Sequence, residues 1–315
     1  MSAQPPGTMA IVNPASANGT TGKVWPALSK RLTAAGLEHD ARVTSRRGEA
    51  SDLTRSALAD GYRTIVAVGG DGTLNEVANG FFDGDRRLGQ GARLGLISRG
   101  TGCDFIRTVG VPKEEEAAIE VLRTGHTRRV DVGRAVFTGH DGREAVRYFV
   151  NIAGLGLDGE TVDRVNRTTK ALGGFFSFLW GTLATIATYR NKDIEIVIDG
   201  GRPVKERMTL VVVANGQYFG GGMRIAPEAA VDDGLFDICT LGDCSRPELV
   251  GSLRKVYKGA HTTHPKIRFY RGKEVTVRSP DRVLLDIDGE QPGLADVTFT
   301  VLPGVLDVIV QRAGA

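Results

Sequence analysis

The chain has 315 residues and a mass of 33.6 kDa, enough for two domains of ordinary size or one large α/β domain. Its 41% hydrophobic and 24% charged content excludes wholesale disorder and fibrous classes. Forty basic against 37 acidic side chains leave a charge of +3, too little for a surface built over its whole extent to hold nucleic acid. Cys103, Cys239 and Cys244 are odd in number and lack CxxC spacing, as expected of free thiols in a reducing compartment. The polar, proline-bearing start has no secretory pattern, so a cytoplasmic protein is expected.

In chain order, an apolar run at Met9–Val12 ends in Asn13-Pro14, and a loop of small residues precedes a helix starting near Val24. A strand at 41–44, a helix at 49–60, the β-branched run 64–68, a helix at 74–82, a strand at 94–97 and a helix at 113–123 follow. This alternation predicts a doubly wound parallel sheet, which binds ligands beyond the carboxyl ends of its strands. After about Val130 the texture becomes strand after strand: 147–152, 193–198, 208–214, 235–240, 266–270, 274–278, 283–287, 297–301 and 305–310. Asp199-Gly200-Gly201 and Pro303-Gly304 are expected to close antiparallel hairpins. The expected architecture is therefore an α/β domain over 1–130 and a β-rich, sandwich-like domain over 131–315. Between them, 171–189 carries no charge. Its length could just span a bilayer, but its glycines, threonines and serine weaken insertion; a buried helix and a helix touching lipid both remain open.

The strongest local feature is Gly69-Gly70-Asp71-Gly72-Thr73-Leu74-Asn75-Glu76, set between a strand and a helix. Glycines admit close approach of backbone N–H groups to an anion, and a helix N-terminus adds positive partial charge, so the turn suits phosphate. Neither a dinucleotide GxGxxG, which would need glycine at Asn75, nor a Walker loop fits this chain.

Several motifs in order resemble the diacylglycerol kinase catalytic family, which includes sphingosine kinases and is related in fold to NAD kinase. They are Ile11-Val12-Asn13-Pro14, the glycine turn, Gly100-Thr101-Gly102-Cys103-Asp104-Phe105, Phe149 to Asp158, Asn215 to Pro227, Asp232-Asp233-Gly234 and Leu285 to Glu290. The resemblance implies ATP in a cleft between the domains, held by Asn13, Thr44, Gly69, Gly70, Asp71, Gly72, Thr73, Leu74, Asn75 and Thr101. It implies Mg²⁺ at Asp233 with the carbonyls of Ala230 and Leu235, and Glu290 as general base. Asp71 and Asp288 are placed with the catalytic carboxylates, and Asp104 and Asp131 in the acidic network around them. Phosphoryl transfer asks for these parts: held phosphates, cation charge and a carboxylate for the hydroxyl proton. An oxygen-only ligand set suits Mg²⁺. The only zinc-like spacing, His261 to His264, lacks partners and is expected on a basic surface loop.

The chain departs from the family pattern at Ser98-Arg99 and at Cys103, where an asparagine is usual. Arg99 would add a cation near the phosphates or point to solvent, and Cys103 is read as an inert thiol. Basic residues recur from Arg254 to Lys273, as a solvated surface or as an attraction to anionic membrane. The resulting expectation is a lipid kinase acting on a membrane lipid such as diacylglycerol, at the inner face of the membrane by peripheral contact, without nucleic acid and with a homodimer possible. The alternatives are an NAD kinase-like enzyme with a soluble substrate and a non-catalytic lipid-binding protein.

Overall fold

The structure is a computed structural model that describes residues 7–84, 86–167 and 174–312. The chain forms two compact units: residues through Val130 together with those from Gly304 onward, and Asp131–Pro303.

In the first unit, β1 (Thr8–Val12), α1 (Thr20–Ala34), β2 (Asp40–Val43), α2 (Glu49–Ala59), β3 (Thr64–Gly69) and α3 (Asp71–Asn79) alternate. A two-rung hairpin of β4 (Phe82–Asp83) and β5 (Arg86–Arg87) follows, then β6 (Arg93–Ser98), α4 (Asp104–Val109) and α5 (Glu115–Thr124). The sheet is parallel in the order β2-β1-β3-β6. Val12 lies opposite Val43 on one side and Val68 on the other, and Gly69 opposite Ser98. Because helices cover the sheet, β3 is buried throughout, which explains its unbroken apolar run. Ala10, Val12, Leu28, Leu32, Val66, Val68, Ile97 and Ile119 form one core cluster.

The chain enters the second unit along β7 (His126–Gly139). It continues through β8 (Glu144–Phe149), β9 (Ile152–Gly156), α6 (Leu157–Arg167), α7 (Gly174–Thr188), β10 (Lys192–Ile198), β11 (Val204–Ala214), β12 (Phe236–Gly242) and α8 (Arg246–Tyr257). A 3₁₀ turn at Ala260–Thr263 leads to β13 (Ile267–Gly272), β14 (Glu274–Arg278), β15 (Leu284–Ile287) and β16 (Glu290–Val310). One half of β11 pairs with β10 and the other with β9, so a single strand serves two antiparallel layers. The core between them includes Phe149, which stacks on Phe236 at 5.5 Å and meets Phe299 edge-on at 5.9 Å.

Two expectations are corrected. Pro303-Gly304 is no hairpin: β16 runs through it, pairing antiparallel with β14 and then, at Asp307 and Val308, parallel with β6. The segment 147–152 is not one strand, because the N–H groups of Val150, Asn151 and Ile152 turn away to the carboxylate of Asp288. Helices α4, α6 and α8 and the strands β7 and β9 have no counterpart among the expected elements; in α6 and α8 the apolar periodicity is diluted by charged residues. The Asp199-Gly200 turn does close β10 and β11, with positive φ at both residues. Of the uncharged run, 171–173 lies outside the described residues, 174–188 is α7, and Tyr189 follows the helix. No helix among the described residues is long and apolar enough to cross a membrane.

Candidate active site

Four parallel strands of the first unit end along one rim. Thr44 follows β2 and donates its N–H to Val12 O at 2.9 Å, and Asn13 follows β1 and donates its own to Val68 O at 3.0 Å. The Asn13 side chain donates to Thr73 Oγ1 at 2.9 Å and accepts from Ala15 N at 3.0 Å. Beside it, β3 ends at Gly69, and the turns Gly69-Gly70 and Arg99-Gly100 lie backbone to backbone. A β-carbon on Gly100 would stand 2.8 Å from the Gly70 Cα, so glycine is required there. The rim thus gathers Asn13, Thr44, Gly69 to Thr73 and the Gly100-Thr101 turn at the N-terminus of α3, whose first-turn N–H groups have no helical partner. Bare backbone and a helix N-terminus fit a phosphate chain. Leu74 and Asn75 instead turn inward: both side chains are buried, and Asn75 accepts from Asn79.

Asp71 ties this rim to α4. Its carboxylate accepts from Cys103 N at 2.8 Å and Asp104 N at 3.0 Å. Burial raises its pKa, and the backbone donors of residues 103–105 oppose the rise. Cys103 has φ of 54°, a left-handed conformation that asparagine tolerates well, which accounts for the residue type usual at this position. Its buried thiol donates to Gly100 O at 3.1 Å. Arg99 does not point freely to solvent: it is ion-paired with Glu115, and its Nε donates weakly to Thr21 at 3.4 Å. Glu76, the last residue of the glycine motif, accepts from Gly48 N and Ala50 N at 2.9 and 3.1 Å, and so caps α2.

The second unit gathers another set of acids. Buried Asp131 accepts from Gly234 N at 2.7 Å, and its own N–H goes to Val231 O at 2.6 Å. Asn215 donates to the carbonyls of Asp131 and Val150 at 2.9 and 2.7 Å. Asp288, at φ 48°, accepts N–H groups from Val150, Asn151 and Ile152 at 3.0, 3.2 and 2.8 Å, so its visible work is to hold this turn. Glu290 follows in the hairpin between β15 and β16, opposite Ile287. Asp233 accepts from Leu235 N and is ion-paired with Arg271, whose Nε also lies 3.5 Å from Asp237. No cluster of three or more metal-ligating side chains occurs among the described residues. A carboxylate flanked by backbone carbonyls is nevertheless a hard-oxygen donor set that suits Mg²⁺, which keeps most of its waters.

Two features have no counterpart in the reading of the sequence. Asp158 and Asp286 are buried together, and Gly289 N donates to Asp286 at 2.9 Å. Burial pushes the Asp158 carboxyl up to about 6, and burial with the neighbouring acid pushes Asp286 well above its ordinary value. The available signal was an acid inside each of two apolar strings, Leu155-Gly156-Leu157-Asp158 and Leu284-Leu285-Asp286-Ile287. Asp158 also lines a cavity of about 90 Å³ whose walls include Leu157, Ile186, Phe219, Leu253 and Ile267. His261 lies on this wall and not on a surface loop. It is fully buried with Nε2 2.9 Å from Ile225 O, and burial lowers its pKa.

The chain has relatives among known proteins in both sequence and fold. Residues 7–135 match the model of the diacylglycerol kinase catalytic domain, and residues 151–310 match the YegS C-terminal NAD kinase beta sandwich-like domain. The chain belongs to the diacylglycerol kinase family. The diacylglycerol kinase of Staphylococcus carnosus is 28% identical over 302 residues, covering 96% of this chain and 94% of that one. The Staphylococcus saprophyticus protein of the same name is 29% identical, covering 95% and 93%. A diacylglycerol kinase crystal structure from Bacillus anthracis superimposes with a TM-score of 0.72 at 23% identity, covering 98% of each chain. Yeast NADH kinase in complex with NADH reaches 0.56 at 12% identity, covering 99% of this chain and 85% of that one, a likeness of fold alone.

Proposed function

We propose that this chain transfers the γ-phosphoryl group of ATP to a hydroxyl of a diacylglycerol-like membrane lipid, at the inner face of the membrane. The observation that carries the lipid reading is the cavity of the second unit. Its wall is apolar apart from a few groups such as Asp158 and Thr182, which suits a short hydrocarbon segment and not a nucleotide or sugar. Asn13, Thr44, the Gly69 to Thr73 turn and Thr101 hold the phosphates. Asp233, with the carbonyls of Ala230 and Leu235, holds Mg²⁺, which when bound offsets phosphate charge. Glu290 takes the proton from the acceptor hydroxyl, while Asp288 and Asp131 hold the segments that carry it and Asp233. Asp71 keeps the Gly100 to Asp104 turn against the phosphate rim.

The test is transfer of labelled phosphate from ATP to a total lipid extract, with NAD as a separate acceptor. Labelled phospholipid is expected, and it should be lost in Asp71→Ala and Glu290→Gln at unchanged fold. Label on NAD and none on lipid would overturn the reading, as would full activity of Glu290→Gln.

A further inference from the structure

Helix α7 carries no charge from Gly174 to Thr188, yet it is not enclosed. Its inner side, with Thr182 and Ile186, lines the apolar cavity. Its outer side shows Trp180 at 69% exposure, with Ala187 exposed and Leu183 and Ala184 half-buried. Fifteen residues give about 22 Å of helix, too short to span a bilayer core. An exposed indole on an uncharged helix is the arrangement that settles at a membrane–water boundary.

Helix α8 packs against α7 and repeats the pattern. Leu249 and Leu253 line the same cavity, while Val250 is 50% exposed. Val250, Arg254 and Lys258 follow at four-residue spacing and share a face, with Arg246 one turn earlier and Lys255 beside them. None of these four cations has an ion pair among the described residues, whereas Lys266, Arg268 and Arg271 are each paired with an acid. The only acid on α8, Glu248, is engaged with Lys266 and the Ser245 N–H. Arg190, exposed just beyond α7, adds to the same sign. The uncompensated charge of this face is therefore positive, which disfavours pairing with a second copy and favours a negative surface.

We propose that the outer faces of α7 and α8 are the docking surface for an anionic lipid bilayer, with Trp180 and Val250 entering the interface and Arg246, Arg254, Lys255 and Lys258 meeting the headgroups. The inference rests on the lipid-kinase reading in one respect: the same two helices wall the cavity assigned to the hydrocarbon segment, so docking would place that cavity beside its substrate.

Binding is measured without catalysis, on the full chain carrying Trp25→Phe so that Trp180 is the sole indole. Vesicles of phosphatidylcholine alone and with about a third phosphatidylglycerol serve as probes. A blue shift of Trp180 emission and co-sedimentation are expected with anionic vesicles, weakening as salt rises. Arg254→Gln and Lys258→Gln should each lower partitioning roughly fivefold, and Trp180→Asp should abolish the bound fraction. Equal partitioning of all variants, equal binding to neutral vesicles, or absence of binding would overturn the proposal. So would a concentration-dependent dimer that Trp180→Asp dissociates, because the face would then be covered by a second copy. In parallel, transfer to a short-chain, monomeric diacylglycerol should be unchanged in all three variants. Loss of that transfer in the parent chain, with vesicle binding intact, would fault the kinase reading and not the docking surface.

Discussion

Replacing Asp288 separates holding from catalysis. In Asp288→Ala, the N–H groups of Val150, Asn151 and Ile152 lose a charged acceptor at 2.8–3.2 Å. Taking the low end of about 1 kcal/mol for each donor left unpaired gives about 3 kcal/mol. A β-branch-free but non-glycine residue without a compensating side chain at φ 48° adds about 1 kcal/mol. The total of about 4 kcal/mol corresponds to a melting point lowered by roughly 8–16 °C for a unit of this size. Asp288→Asn keeps an acceptor oxygen and a side chain tolerant of left-handed φ, and should lose about half as much. Thermal unfolding followed by circular dichroism reads the stability. Amide hydrogen exchange at 150–152 reads the local cause, with protection lost in Ala and partly retained in Asn. An Ala variant melting within about 2 °C of the parent, with exchange at 150–152 unchanged, would refute the argument that this carboxylate is spent on the turn.

Glu76→Ala should destabilise the first unit by about 1–2 kcal/mol in urea unfolding, because α2 loses its N-terminal acceptor; an unchanged midpoint would contradict that role. The Asp158–Asp286 pair gives a pH dependence of definite sign. Both carboxyls titrate higher in the folded chain than the ordinary 3.8, so the folded state holds more protons. The stability they confer is present below about pH 4 and lost as pH rises through about 6. Melting points should fall from pH 5 to 8, and Asp158→Asn should flatten the fall; parallel curves for the two proteins would exclude the pair as its source. Cys103→Asn, at φ 54°, should leave the melting point equal or up to a few degrees higher and retain transfer; strong destabilisation would show that the thiol contact with Gly100 outweighs backbone preference.

Much of the rim was legible because its chemistry is local. Gly69 to Thr73 needs only a strand, a turn and a helix N-terminus in immediate succession, and all three are written in consecutive residues. The inward turn of Leu74 and Asn75 follows from helical periodicity once α3 begins at Asp71, three residues before the helix start read from the sequence. The roles of Glu76, Arg99 and Asp288 were not legible, because their partners lie at Gly48, Glu115 and Val150. A charged residue gives no sign in sequence of whether it faces water or a distant N–H. His261 shows the same limit: a histidine among basic residues looks exposed until a sheet and helices close over it.

By itself the sequence determined the alternation of apolar strands and helices in the first unit, the β-rich character of the second and the family, because hydrophobic period and motif spacing are properties of short stretches. Only the tertiary structure decided that β16 runs through Pro303-Gly304 to join the first sheet, that Asp158 and Asp286 share one buried place, and that α7 and α8 enclose an apolar cavity. Each depends on contacts between segments far apart in the chain. Those contacts form because buried N–H groups must find acceptors and apolar faces must find one another, wherever along the polypeptide the partner lies.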